Sequence, residues 1–100
     1  MRLAVAVLLV LLGATTSSPP TRSCGFQSLG KGWHLRASPS VSCRSARRIF
    51  RAYFATRGCN RASPGTCVVR TYRCRYDYGD DVERVRCSTP GRLVTFRSLA

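Results

Sequence analysis

Acidic residues are scarce. Four Asp plus Glu stand against 17 Lys plus Arg in 100 residues, a formal net charge of +13. That excludes an acidic solvating chain and leaves few carboxylates from which to build a site. Histidine is scarcer: His34 is alone, which excludes two-histidine acid–base chemistry. No two cysteines are separated by two residues, and His34 lies outside any ligand-like cluster. Zinc-type ligand sets and redox thiol pairs therefore lack their spacing, and neither metal nor cofactor is expected. Long apolar runs are missing too. The longest, Leu3 to Leu12, has ten residues, short of the roughly 17 to 25 that a spanning helix needs.

What that run does fit is an export signal. Arg2 precedes it, and Gly13, Ala14 and the small polar residues Thr15 to Ser18 follow, so residues 1–18 read as a signal peptide cleaved between Ala14 and Ser18. Thr21 and Arg22 ahead of Cys24 are wrong for a lipoprotein signal, which argues against a lipid there. Residues 19–32, opened by Pro19 and Pro20, are expected to be an N-terminal tether, and residues 33–100 one small domain. About 80 residues bury only a modest core. Six cysteines in an exported chain of this size read as a disulfide framework, in a protein secreted to the extracellular space or cell envelope.

The clearest element is a helix after Ser42, whose hydroxyl suits an N-cap, with Gly58 as a suitable stop. At 100° per residue Cys43, Ala46, Ile49, Phe50, Tyr53 and Phe54 share one arc, and Arg44, Arg47, Arg48 and Arg51 lie opposite. Period-two segments supply the surface that this arc must cover. In Thr71 to Tyr78, Tyr72, Cys74, Tyr76 and Tyr78 alternate with Arg73, Arg75 and Asp77. Gly79, Asp80 and Asp81 make a turn before a strand over Val82 to Ser88. Pro90 and Gly91 suit a type II turn before a last strand over Arg92 to Ser98. Trp33, Leu35 and Ala37, alternating with His34 and Arg36, make a strand ahead of the helix. The fold class is therefore α+β, one amphipathic helix packed on a small, mostly antiparallel sheet in the order β-α-β-β-β.

Six cysteines allow 15 connectivities. Cys59 and Cys67 bracket the loop from Gly58 to Thr66 and are expected to pair. Cys43, at the start of the helix, is placed to reach a strand cysteine. Cys43 with Cys87 and Cys24 with Cys74 is the favoured arrangement, and the swapped pairs, Cys43 with Cys74 and Cys24 with Cys87, stay open beside it.

The run Val41-Ser42-Cys43-Arg44-Ser45-Ala46-Arg47-Arg48, followed by Tyr72-Arg73-Cys74-Arg75, Val85-Arg86-Cys87 and Val94-Thr95-Phe96-Arg97, resembles a loose group of small secreted, disulfide-containing proteins of high-GC bacteria. In that group a Cys-x-x-Ala-Arg helix start precedes two cysteine-bearing strands and a final aromatic strand. The resemblance spans Trp33 to Arg97 and implies export and an αβ architecture. It implies no particular activity, and Cys59 with Cys67 is an addition to its pattern.

Fifteen Arg and one Lys follow the signal segment, and Arg stays charged and pairs with phosphate bidentately. Two clusters are expected: Arg44, Arg47, Arg48 and Arg51 on the helix, and Arg36, Arg73, Arg75, Arg84, Arg86 and Arg97 on the exposed side of the sheet. They point to a non-enzymatic, monomeric module for an anionic partner, whether nucleic acid, wall polymer or membrane surface. An arginine-rich surface is also what GC-rich coding and solubility alone would produce, so both explanations stand at this level. The aromatics alternate inward, so no stacking platform is expected among the arginines. An antimicrobial or toxin-like protein is the alternative, through the basic amphipathic helix. A small ribonuclease would need His34 beside a carboxylate such as Glu83. Asp77, Asp80, Asp81 and Glu83 crowd one hairpin without the ligand spacing of a calcium loop, and pairing with Arg75 or Arg84 is their expected use.

Overall fold

A computed structural model describes residues 19–59 and 65–99. The proposed signal segment and residues 60–64 of the cysteine-bracketed loop lie outside them. The chain runs β1 (Arg22–Leu29), β2 (Lys31–Ala37), α1 (Cys43–Ala55), β3 (Gly65–Val69), β4 (Tyr72–Gly79), β5 (Val82–Thr89) and β6 (Arg92–Ser98). The strands form one antiparallel sheet in the order β1-β2-β6-β5-β4-β3, with α1 on one face. The expected architecture holds, with two strands more than expected.

The first extra strand corrects the tether. Residues 22–29 pair with β2 from Arg22↔Ala37 to Leu29↔Lys31. The Arg22 guanidinium donates to the carbonyls of Ala37, Ser38 and Val41 at 2.7–3.0 Å, fastening the start of β1 to the β2–α1 connection. The second extra strand, β3, takes Gly65 and Thr66 out of the expected loop, because Thr66 and Val68 on one face and Cys67 and Val69 on the other continue the pairing of β4 outward.

Helix α1 begins where its cap allows. Ser42 is extended (φ −71°, ψ 155°), and its Oγ accepts from the Ser45 amide at 3.1 Å, satisfying one unpaired first-turn donor. Ser42→Ala is expected to lower stability by about 1 kcal/mol in urea unfolding, while Ser42→Asp holds it. The helix stops at Ala55, three residues before Gly58. Thr56 leaves helical geometry (φ −91°, ψ 122°), and its hydroxyl donates back to the Ala52 carbonyl.

Ala46, Ile49, Phe50 and Tyr53 are buried against the sheet, as the arc predicts. They meet Trp33, Leu35, Tyr72, Tyr76, Val85, Val94 and Phe96. Trp33, Phe50, Tyr53, Phe54 and Phe96 form one aromatic group with centroids 5.1–6.1 Å apart, mostly edge to face. Such pairs add stabilisation beyond the area they bury. Tyr78 departs from the expected inward set: it is 55% exposed at the turn end of β4, its hydroxyl donating to Asp81. Asp81 holds the Tyr78 phenol above its ordinary value, by the hydrogen bond first and by charge second.

Both expected turns are present. Asp80 and Asp81 stand at φ 55° and 62° between Gly79 and Val82, the double positive φ of a type I′ hairpin. Gly91 stands at φ 79°, as the second central position of a type II turn requires.

Three disulfides are formed: Cys59–Cys67, as expected, Cys24–Cys43 and Cys74–Cys87. The pairings of Cys43 with Cys87 and Cys24 with Cys74, and their swapped forms, are thus corrected. Cys74 and Cys87 are Cα partners on adjacent strands, 3.9 Å apart, and satisfy each other. That leaves Cys43 for Cys24, which β1 brings to 5.3 Å from it, within the reach of a disulfide.

Candidate polyanion-binding face

The helix covers one face of the sheet, and the opposite face collects the arginines. Strand alternation sends Arg73 and Arg75 of β4, Arg84 and Arg86 of β5, Arg97 of β6 and Arg36 of β2 to that side. Register then aligns them in two rows. One row is Thr66, Arg75, Arg86, Thr95, Arg36 and Ser23. The other is Asp77, Arg84, Arg97, His34 and Phe26. Neighbours in a row are about 4.8 Å apart. Between the rows lies a shallow, open concavity of about 510 Å³, lined by His34, Arg36, Arg75, Asp77, Arg84, Arg86, Thr95 and Arg97. A second of similar size continues over Thr66, Val68, Arg73 and Ser88.

The arginines differ in how far they are engaged. Arg36 is partly buried and donates to the Thr21 hydroxyl and carbonyl, which holds the chain ahead of β1. Arg75 pairs with Asp77 at 3.2 Å, an exposed contact of small energetic weight. Arg84 reaches the Gly79 carbonyl at 3.4 Å. Arg73 and Arg97 are exposed, and their side chains make no hydrogen bond or ion pair among the described residues. Like charges in register cost energy unless solvent or a ligand screens them, so this face gains from a neighbouring anion.

The helix arginines form the second group, on the other side of the molecule. Arg44, Arg48 and Arg51 are exposed and Arg47 is half-buried. Arg48 also borders a groove of about 170 Å³ with Arg70 and Arg92. Those two are not legible in the sequence as partners of the helix, because the β3–β4 and β5–β6 turns carry them there.

The pairing of His34 with Glu83 considered from the sequence is not formed. Glu83 is buried on the helix side, bonded to the Tyr76 hydroxyl and to Lys31, with its own amide donating to the Ser98 hydroxyl. His34 is on the opposite face, so the sheet separates the two. Asp77, the carboxylate on the side of His34, stands three strands from it, about 14 Å across the row. The hairpin acids are used within the protein, Asp77 by Arg75, Asp81 by Tyr78 and Glu83 by Lys31. No group of three or more ligating side chains suited to a metal occurs among the described residues.

The residue that sequence reasoning missed is Phe26. A bulge in β1 sets Ser23 opposite Arg36 and Phe26 opposite His34, so two residues, Cys24 and Gly25, face Leu35 alone. Gly25 supplies the positive φ of 87°. Strict alternation would send Cys24 and Phe26 to one side. The bulge parts them, Cys24 toward the helix and Phe26 onto the arginine face, where it is 66% exposed. Its ring lies 4.9 Å from the His34 imidazole, which is in turn bonded to the Ser23 hydroxyl at 2.9 Å.

Compared with protein-family models, with curated proteins and with solved structures, the chain matches none.

Proposed function

We propose that this is a secreted, monomeric, non-enzymatic module that binds polyanions on the open face of its sheet. The observation that carries the reading is the register of Arg84, Arg86 and Arg97 on adjacent strands, exposed on the face that the helix leaves bare. Asp77 is the one carboxylate among the residues lining it. Three disulfides support an oxidising compartment. A membrane-disrupting role is less well supported, since it needs the apolar arc of α1, and Ile49, Phe50 and Tyr53 are buried.

The test is a salt series of binding to a labelled oligonucleotide, with two triple variants. The protein is expected to bind at physiological salt with a steep slope of log K against log salt. Arg84→Gln/Arg86→Gln/Arg97→Gln should flatten that slope by about 2 on a single strand, at roughly 0.7 for each phosphate no longer neutralised. Arg44→Gln/Arg48→Gln/Arg51→Gln, with the same charge change on the helix, should leave it nearly unaltered. Negligible binding by the unmodified protein, to the oligonucleotide and to inorganic polyphosphate alike, rejects the function. Equal flattening by both variants rejects the assignment to the sheet.

A further inference from the structure

The open face holds a feature that charge alone leaves unexplained. Phe26 is the most exposed of the large apolar residues described, and it stands beside the arginines, not in the core. Its place is built. Gly25 turns the strand to put it there, the Cys24–Cys43 bond anchors the strand two residues upstream, and His34 packs against its ring with Ser23 holding the imidazole. An exposed ring so held costs solvation without adding to the core.

We propose that the open face takes single-stranded nucleic acid, one base stacking on Phe26 while the phosphates that follow lie over Arg97 and Arg84. This rests on the polyanion reading and narrows it. Phe26, His34, Arg97 and Arg84 are successive partners across β1, β2, β6 and β5, a path of about 14 Å from ring to guanidinium-bearing strand. The guanidinium of Arg97, next after the ring pair, makes no hydrogen bond or ion pair among the described residues, so its donors are available to a phosphate.

The ring selects among polyanions. A wall polymer or polyphosphate has no flat face to lay against it, and a duplex keeps its bases stacked on each other behind the backbone. An unpaired base has both an open face for Phe26 and an attached phosphate for the arginines, and aromatic stacking with a basic track is how single strands are held without sequence preference. Asp77, next in register beyond Arg84 and paired with Arg75, repels phosphate and limits the track on that side.

The experiment is fluorescence anisotropy of the oxidised protein with a labelled oligothymidylate, with its duplex, and with inorganic polyphosphate as competitor. Phe26→Ala is expected to weaken the single strand about tenfold at unchanged salt slope, to leave duplex and polyphosphate binding as they were, and to be rescued by Phe26→Tyr. Near-ultraviolet circular dichroism checks that each variant keeps its packing. An unchanged single-strand affinity in Phe26→Ala, or an equal loss toward polyphosphate, overturns the stacking site while the polyanion reading stands. If the unmodified protein binds none of the three, the polyanion reading fails and this proposal with it.

Discussion

Phe96→Ala is expected to destabilise the oxidised domain by about 3–5 kcal/mol, most of the margin that a domain of this size holds. Phe96 is buried and packs against four other rings, Trp33, Phe50, Tyr53 and Phe54. It is thus the point where β6, β2 and the helix share one contact. Its loss leaves a cavity bounded by edge-to-face partners that cannot all close on it. Trp33 is the one tryptophan and is buried, so its fluorescence reports urea unfolding directly. Leu99→Ala, at a position 43% exposed, should shift the midpoint little. Equal midpoints for the two variants would show that the aromatic group does not hold the layers together.

Replacing Cys24 and Cys43 together by Ser is expected to cost about 3 kcal/mol, from a bridge spanning 19 residues. It should also weaken binding of single-stranded nucleic acid without touching an arginine. The bridge fixes the bulged part of β1, which is an edge strand paired on one side only, and Phe26 depends on that bulge for its orientation. The bridge between Cys59 and Cys67 closes a shorter loop, 8 residues apart, so the double Ser variant there should cost somewhat less and leave the affinity alone. The pair of variants therefore separates a general loss of stability from a loss of the ring platform. Equal affinity loss in both would assign the effect to stability.

The helix and strands β2, β4, β5 and β6 are legible in the sequence because their alternation is uninterrupted and turn residues or caps bound them. Ser42, the Asp80–Asp81 pair and the Pro90–Gly91 pair each impose local geometry that does not depend on distant parts of the chain. Strand β1 is not legible. Its bulge breaks the period of two at Cys24 and Gly25, and the same break that hides the strand puts Phe26 on the open face. The face on which the sheet arginines fall follows from strand parity alone, whereas their rows need the register, and the grouping of Arg48 with Arg70 and Arg92 needs the turns to be placed in space. Two disulfides depart from expectation because the helix cysteine bonds to β1 and not to Cys74 or Cys87. Cys74 and Cys87 face the same way on neighbouring strands, and their direct pairing needs no movement of the helix.

Cys67, Cys74 and Cys87 stand side by side across β3, β4 and β5, each the Cα partner of the next. Before oxidation, the sheet thus presents Cys74 with two thiols at equivalent positions, one on either flank. Correct pairing then depends on Cys67 being claimed by Cys59, its neighbour along the chain. A chain in which β3 docks while Cys59 is still free can join Cys67 to Cys74 and leave Cys87 unpaired beside them. Thiol–disulfide exchange along this row is the direct route back, since each sulfur has the next one as its neighbour. Reaching the three bridges is therefore a matter of sequence of events as much as of redox poise.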